Sequence, residues 1–294
     1  MLGRELVRVF SADKPPHLNR CGGEIFGWDK GEIDITDEAQ VKEKIGGLKP
    51  EIIINAAAYN AVDKAEEPAE FAKAKKLNSL APRFLAQIAK NLGAIFVHYS
   101  TDYVFDGVQR EGYKENDEPS PINNYGRSKL MGEQAAQKVG NKFYIIRLQK
   151  LFGQPSPRLR LASQPAQGLA PKKSFFETML ALSEKQKTIK AVDDELANFT
   201  YAPDLAERTK YIIENDLPVG IYHITNEGAP VTWFGAAKIL FDLAGKKDVK
   251  LIPVSAERFP RPAPRPKFSI LVNTKLPPLR PWPEALKEFL KSSS

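Results

Sequence analysis

The chain has 294 residues, with 43 Lys and Arg against 36 Asp and Glu, and 42% of its residues are hydrophobic. This length suits one large domain or two ordinary ones and can bury a real core, and the apolar content argues against wholesale disorder. A single cysteine, Cys21, excludes an internal disulfide framework. Together with only three histidines, it also argues against a metal site, so we expect none.

The sequence favours a soluble, cytoplasmic protein. No apolar run approaches the ~18 residues of a membrane span, and the start, Met1 to Phe10, lacks the apolar stretch of a signal peptide. The net charge of +7 falls mostly after residue 150. A basic second half suits an anionic ligand such as a nucleotide diphosphate, although ordinary surface charge explains it equally well. No basic run interleaved with aromatic residues indicates nucleic acid, so we expect neither a nucleic-acid nor a membrane partner.

The first half alternates strand-like and helix-like stretches. The predicted strands are Glu24–Trp28, Glu51–Asn55, Ala94–Ser100 and Phe143–Arg147. Apolar residues at spacings of three and four predict helices over Phe71–Leu92 and Tyr125–Val139. Strands that alternate with helices indicate an α/β fold with a parallel, doubly wound sheet.

The second half is richer in proline and mostly helical by pattern. Residues 154–172 resemble a loop or insertion, and helices are predicted over 174–186, 203–215, 232–244 and Trp282–Lys291. Arg261–Pro266 is too dense in proline for a helix or a central strand, so we expect an extended segment.

Doubly wound sheets bind ligands beyond the carboxyl ends of their strands. Here those positions are Asp29, Asn55–Tyr59 and Ser100–Phe105. The small side chains of Ala56–Ala58 would let a flat ligand approach the backbone, or would only pack a strand against a helix. Thr101 follows a buried strand, where its hydroxyl can point into the crevice.

Tyr125 and Lys129 stand four residues apart, on one face of a predicted helix. An ammonium beside a phenol should lower the phenol's pKa, and such a tyrosine can exchange a proton with a carbonyl or alcohol oxygen. The spacing alone is equally compatible with an amphipathic helix that carries a surface lysine.

Several motifs together resemble one family. They are Asn55–Tyr59 continuing through Ala61–Glu66, Ser100–Gly107, Asn124–Leu130, Ser174–Leu180, Thr200–Ala206, Gly220–His223 and Arg265–Pro266. In combination they resemble the extended short-chain dehydrogenase/reductases, and within them the dTDP-4-dehydrorhamnose reductase family, over nearly the whole chain. The resemblance implies a Rossmann-like fold with a dinucleotide-binding domain over 1–150, returning near 195–225, and mainly a substrate-binding domain over 151–294.

The resemblance also implies a reaction and a site. NADPH or NADH would reduce the C4 ketone of dTDP-4-dehydro-6-deoxy-L-mannose to dTDP-L-rhamnose in nucleotide-sugar and cell-surface polysaccharide biosynthesis. The implied catalytic residues are Thr101, Tyr125 and Lys129. The implied cofactor contacts are Met1, Leu2, Gly3, Asp29, Asp34, Ile35, Ala57, Ala58, Tyr59, Tyr125 and Lys129. The implied substrate contacts are Thr101, Asp102, Tyr103 and Lys150. Tyr103 stands where dehydratases of the superfamily carry a second carboxylate, which favours plain reduction.

Two positions depart from the family pattern. Met1–Leu6 resembles only the end of a glycine-rich turn and the start of its helix, with the first strand missing. We expect a misplaced start codon or a shortened chain. The second departure is Lys150, where the family usually carries a tryptophan that packs on the sugar. A lysine can contact phosphate or hydroxyl groups but offers no flat apolar face.

Cofactor preference and function keep open alternatives. Asp29 would disfavour a 2′-phosphate and Lys30 would welcome one, unless both lie in a solvated turn. An epimerase shares the Tyr125 and Lys129 pair. A non-catalytic regulatory subunit like the beta subunit of methionine adenosyltransferase resembles the same family. We expect a nucleotide-sugar substrate and a homodimer.

Overall fold

A computed structural model describes residues 1–12, 23–140, 142–154 and 173–292. Cys21 and most of the predicted loop over 154–172 lie outside those residues. In the part of the chain that the structure describes, no helix is long and apolar enough to cross a membrane. The same residues contain no cluster of three or more His, Cys, Asp or Glu side chains that could hold a metal ion.

The helices and strands alternate along the first half of the chain. The helices are α1 (Leu2–Ala12), α2 (Glu38–Gln40), α3 (Gly46–Leu48), α4 (Pro68–Lys75), α5 (Ala81–Leu92), α6 (Asn124–Val139), α7 (Phe175–Ser183), α8 (Ala202–Glu214), α9 (Trp233–Leu243) and α10 (Trp282–Lys291). The strands are β1 (Ile52–Asn55), β2 (Ile95–Thr101), β3 (Phe143–Leu148), β4 (Leu151–Phe152), β5 (Thr188–Val192), β6 (Thr200–Tyr201), β7 (Gly220–His223) and β8 (Lys250–Val254). A π-helical turn over Lys76–Leu80 joins α4 to α5.

The main sheet is parallel and has the order β1-β2-β3-β7. Its strands are apolar on both sides because helices cover both faces. One face packs with α1 and α8 around Val97, Tyr144 and Ile146, and the other packs with α5 around Phe96 and Ile145. The α/β fold class and three of the four predicted strands are confirmed.

The prediction of a strand over Glu24–Trp28 is wrong. The segment is irregular, and Ile25, Phe26 and Trp28 are between about a third and half exposed. A strand needs a neighbour for its ladder of hydrogen bonds. β1 pairs only with β2, and among the described residues no strand lies along its other edge. The Glu24–Trp28 segment therefore has no strand beside it to pair with.

A second set of elements forms a smaller unit around an aromatic core. The parallel pair β5–β8 packs with α7, α9 and α10 around Phe152, Phe176, Phe199 and Trp282. The four helices predicted in the second half are confirmed, with ends shifted by a few residues at most. Arg261–Pro266 is neither helix nor strand, as predicted.

Candidate active site

A large crevice opens at the carboxyl ends of β1, β2 and β3, where the beginning of α6 also meets it. Its volume is about 1370 Å³. Most of the predicted site residues line it: Met1, Leu2, Gly3, Asp29, Ile35, Ala57, Ala58, Thr101, Asp102, Tyr103, Tyr125, Lys129 and Lys150. The fold therefore brings together side chains that are up to about 150 residues apart in sequence.

The first turn of α6 packs closely against Tyr103, which follows β2. The Asn123 side chain caps the helix by accepting a hydrogen bond from the Gly126 N–H at 2.8 Å. A Cβ added at Gly126 would lie 2.1 Å from the carbonyl oxygen of Tyr103, so only glycine permits this approach. The contact holds Tyr125 beside Tyr103, with the two rings edge to face at 5.7 Å. It fixes where the Tyr125 phenol enters the crevice.

The Tyr125 phenol is protonated in the free protein. Burial raises its pKa, the negative charge of Asp102 raises it further, and the nearby Thr101 hydroxyl acts in the opposite direction. The phenol donates a hydrogen bond to Asn60 Oδ1 at 3.4 Å. The expectation that Lys129 lowers this pKa is wrong. The Lys129 Nζ donates a 2.6 Å hydrogen bond to the Tyr99 carbonyl oxygen, so the ammonium is committed to β2. A protonated phenol is the form that can donate a proton to a substrate oxygen.

Lys129 is itself tuned by its surroundings. The side chain is 2% exposed, and burial lowers its pKa to about 8, while the carboxylate of Glu133 acts in the opposite direction. Tyr125, Lys129 and Glu133 follow one another at intervals of four, so they share one face of α6. Glu133 also forms a buried, bidentate pair with Arg147 on β3, at 3.0 and 2.7 Å. That pair fastens the helix face to the sheet.

Thr101 and Asp102 form a buried hydroxyl–carboxyl pair at the end of β2. The Thr101 hydroxyl donates to Asp102 Oδ1 at 2.9 Å and accepts from the Tyr103 N–H at 3.3 Å. Burial raises the pKa of Asp102, and hydrogen bonds from Ser269, Thr101 and Gln149 partly offset this. The Thr101 oxygen is thus held in place at the wall of the crevice, on the side of Tyr125.

Two predicted cofactor contacts are not among the described residues that line the crevice. The Tyr59 hydroxyl donates to the Glu70 carboxylate on α4 at 2.6 Å. Asp34 accepts the N–H and hydroxyl of Thr36 at 2.9 and 2.7 Å. Each side chain makes a local hydrogen bond, and the roles of Tyr59 and Asp34 as cofactor contacts stay predictions.

Asp29 lines the crevice, but its carboxylate also caps its own turn. Asp29 Oδ1 accepts the Gly31 N–H at 2.7 Å, and both Asp29 and Lys30 are exposed. This geometry fits the solvated turn that the sequence left open as an alternative. Neither side chain is held in a position that selects between NADH and NADPH.

The crevice has the features that a nicotinamide dinucleotide needs. At one end α1 begins at Leu2 on the cavity wall, and a Cβ added at Gly3 would meet nothing within 4 Å, so a phosphate group has open space near the helix N–H groups. At the other end lie Tyr125 and Lys129. Between them the small side chains of Ala57 and Ala58 leave room for a flat ring.

The second half of the chain supplies wall residues that sequence reasoning missed. Glu195, Trp233 and Ser269 line the crevice, as does Asn60 from the loop after β1. Glu195 accepts a hydrogen bond from Trp233 Nε1 at 3.1 Å and pairs with Arg261. No local pattern marks these residues, because the contacts join elements that are distant in sequence.

The fold and the site together define a class of protein. A parallel, doubly wound sheet with a Tyr125–Lys129 pair and a hydroxyl from Thr101 at its carboxyl edge is the arrangement of the extended short-chain dehydrogenase/reductases, as the sequence motifs predict. The family model described as RmlD substrate binding domain matches residues 1–294. The chain belongs to this family, and the predicted resemblance to dTDP-4-dehydrorhamnose reductases is confirmed.

Individual relatives agree. The chain is similar to dTDP-4-dehydrorhamnose reductase of Streptomyces griseus, at 34% identity over 98% of this chain and 89% of the relative. It is 33% identical to a probable dTDP-4,6-dihydroxy-2-methyloxan-3-one 4-ketoreductase of Streptomyces antibioticus, over 98% of this chain and 90% of the relative. Among solved structures, dTDP-4-dehydrorhamnose reductase of Bacillus anthracis in complex with NADP matches with a TM-score of 0.85 and 34% identity. That match covers 99% of this chain and 95% of the other.

Proposed function

We propose that the protein is an NADPH- or NADH-dependent reductase that converts the C4 ketone of dTDP-4-dehydro-6-deoxy-L-mannose to the alcohol of dTDP-L-rhamnose. The observation that carries the proposal is the protonated Tyr125 phenol at the crevice, beside the Thr101 hydroxyl and one helical turn from Lys129. The relatives that share the fold over nearly their whole length are named for this reaction.

A bound dihydronicotinamide supplies the hydride that adds to C4. As the carbonyl becomes an alkoxide, Tyr125 gives its phenolic proton to the oxygen. Thr101, held by Asp102 and by the Tyr103 N–H, orients the same oxygen. With the dinucleotide bound, Lys129 would contact the nicotinamide ribose, and solvent would return a proton to the phenolate that is left on Tyr125.

The proposal extends to the organisation of the chain. Residues 1–150, with segments near 195–225, would bind the dinucleotide, and residues 151–294 would mainly bind the sugar nucleotide. The appearance of β7 (Gly220–His223) beside β3 in the main sheet supports the returning segment. We expect a cytoplasmic homodimer that works in nucleotide-sugar biosynthesis.

The test is consumption of NADPH and of NADH with dTDP-4-dehydro-6-deoxy-L-mannose, followed by identification of the sugar product. Tyr125→Phe removes the proton donor and should lower kcat by 10²-fold or more while the protein remains folded. Tyr211→Phe, which changes an exposed tyrosine on α8, is the matched control and should retain full activity. Equal activity of Tyr125→Phe and wild type would contradict the proposal.

The two alternative functions give different results in the same assay. An epimerase would change the sugar without net consumption of NADPH. A regulatory subunit would show no turnover and would instead bind another protein tightly.

A further inference from the structure

Lys150 carries a buried amine that has no hydrogen-bond partner among the described residues. Its Nζ atom is enclosed in the wall of the crevice. Taking an amine out of water is unfavourable unless a partner is supplied, as it is for other buried polar groups. The residue also adopts a φ of 34°, in the left-handed region that non-glycine residues rarely occupy. Such strain recurs at ligand sites.

Aromatic and acidic neighbours surround this amine. Nζ lies 3.8 Å from the centre of the Trp233 ring and 5.3 Å from that of Phe199, so it covers one face of the tryptophan. Burial lowers the pKa of Lys150 to about 7, while the charges of Asp102 and Glu195 oppose that change. Glu195 is already paired with Arg261, and Asp102 with the Thr101 hydroxyl.

This environment selects the chemistry of the missing partner. An apolar sugar face cannot stack on the side of Trp233 that Lys150 covers. A second anion would face the carboxyl groups of Asp102 and Glu195. A neutral hydroxyl can accept a hydrogen bond from the ammonium without adding charge to the recess. Lys150 directly follows Gln149, whose amide donates a hydrogen bond to Asp102 at 3.4 Å, and Asp102 in turn accepts from the Thr101 hydroxyl, so Lys150 adjoins the position of the reacting carbonyl.

We propose that Lys150 is a specificity-determining residue that donates a hydrogen bond to the C3 hydroxyl of the substrate sugar, next to the C4 ketone. This inference rests on the proposed function for the identity of the reacting carbon. In the 6-deoxy sugar, C3 is the neighbour of C4 that carries a hydroxyl, whereas the C5 side carries a methyl group. Where the family usually carries a tryptophan that packs on the sugar, this chain would make a polar contact through Lys150.

The experiment is a thermodynamic cycle that combines one amino-acid substitution with one change of the substrate and measures kcat/KM for each of the four combinations. Lys150→Met keeps the length of the side chain and removes the donor, and the substrates are dTDP-4-dehydro-6-deoxy-L-mannose and its 3-deoxy analogue. A hydrogen bond to a charged group corresponds to a loss of roughly 10- to 100-fold in kcat/KM. Lys150→Met should show that loss with the first substrate and less than about threefold with the analogue, and Lys150→Gln should recover part of it. An equal loss with both substrates would overturn the assignment.

A binding measurement separates this inference from the proposed function. The Kd of dTDP-L-rhamnose and of its 3-deoxy analogue is measured by calorimetry in the presence of NADP⁺. Wild type should prefer the hydroxylated ligand by about 10-fold or more, and Lys150→Met should show no preference. If wild type prefers dTDP-L-rhamnose over the 3-deoxy analogue but does not reduce the ketone substrate, the proposed reductase function is wrong and the Lys150 assignment is retained. If wild type reduces the ketone but binds the two ligands equally, or binds neither ligand, the Lys150 assignment is wrong.

Discussion

Replacing Glu133 by glutamine should destabilise the protein strongly, although Glu133 does not line the crevice. Its carboxylate accepts two hydrogen bonds from Arg147, at 3.0 and 2.7 Å, and the two side chains are 0% and 1% exposed. The change leaves a guanidinium buried between the His223 ring, 3.4 Å away, and the Phe105 ring, with a neutral amide in place of the carboxylate that paired with it. Removing one partner of a buried ion pair costs about 3–5 kcal/mol.

Urea unfolding followed by circular dichroism measures this change as a drop in the unfolding free energy with an unaltered m-value. The control is Glu38→Gln, which breaks the exposed pair of Glu38 with Lys42 and should cost less than ~1 kcal/mol. The double variant Glu133→Leu/Arg147→Met removes both charges and should be more stable than Glu133→Gln alone. A loss below about 1 kcal/mol for Glu133→Gln would refute the view that this pair fastens α6 to the sheet.

Three further predictions concern a glycine and two titrating groups. Gly126→Ala places a Cβ 2.1 Å from the Tyr103 carbonyl oxygen and should lower the unfolding free energy by roughly 1–3 kcal/mol or more, measured by thermal melting. The control is Gly47→Ala, whose added Cβ meets no described residue within 4 Å, and it should be neutral or stabilising. Burial, reinforced by the charge of Arg147, lowers the pKa of His223 to about 4. Because His223 in the unfolded chain takes up a proton near pH 6.5, before the folded protein does, the unfolding free energy should fall by up to ~3 kcal/mol as the pH drops from 6.5 to 4. Urea titrations at several pH values should show this fall, and it should shrink in His223→Gln. The pKa of Lys150 is about 7 and that of Lys129 about 8, so kcat/KM of the wild type should begin to decline near pH 7. In Lys150→Met the decline should begin about one pH unit higher, and a decline that still begins near pH 7 would contradict the assignment.

The strands of the main sheet were predictable where burial is complete. β1, β2 and β3 are continuous apolar runs because helices cover both faces of the sheet, and that pattern can be read from the sequence. β5 could not be identified in this way, because its buried residues alternate with the exposed Thr188 and Lys190. The prediction over Glu24–Trp28 failed for a non-local reason: the composition suits a strand, but pairing depends on a neighbour.

The site follows the same division. The four-residue spacing of Tyr125 and Lys129 predicted that they share one helix face, because a helix fixes that geometry, and the family motifs predicted that this face meets the crevice that both residues line. The raised pKa of Tyr125 could not be predicted, since it depends on burial and on the charge of Asp102, while the Lys129 ammonium turns to the Tyr99 carbonyl. The surroundings of Lys150 were equally hidden, because Trp233 arrives from a distant helix.

The most direct test of the account is the fate of deuterium from NADPH that carries two deuterium atoms at C4 of the dihydronicotinamide ring, of which a hydride transfer moves one. If Tyr125 protonates the oxygen while the cofactor reduces the ketone, deuterium should appear at C4 of the sugar, one per cofactor consumed. Tyr125→Phe should then slow the transfer without changing its position. Deuterium at another carbon, or a sugar product formed with no deuterium and no loss of NADPH, would contradict the assignment of the crevice as the site of a ketone reductase.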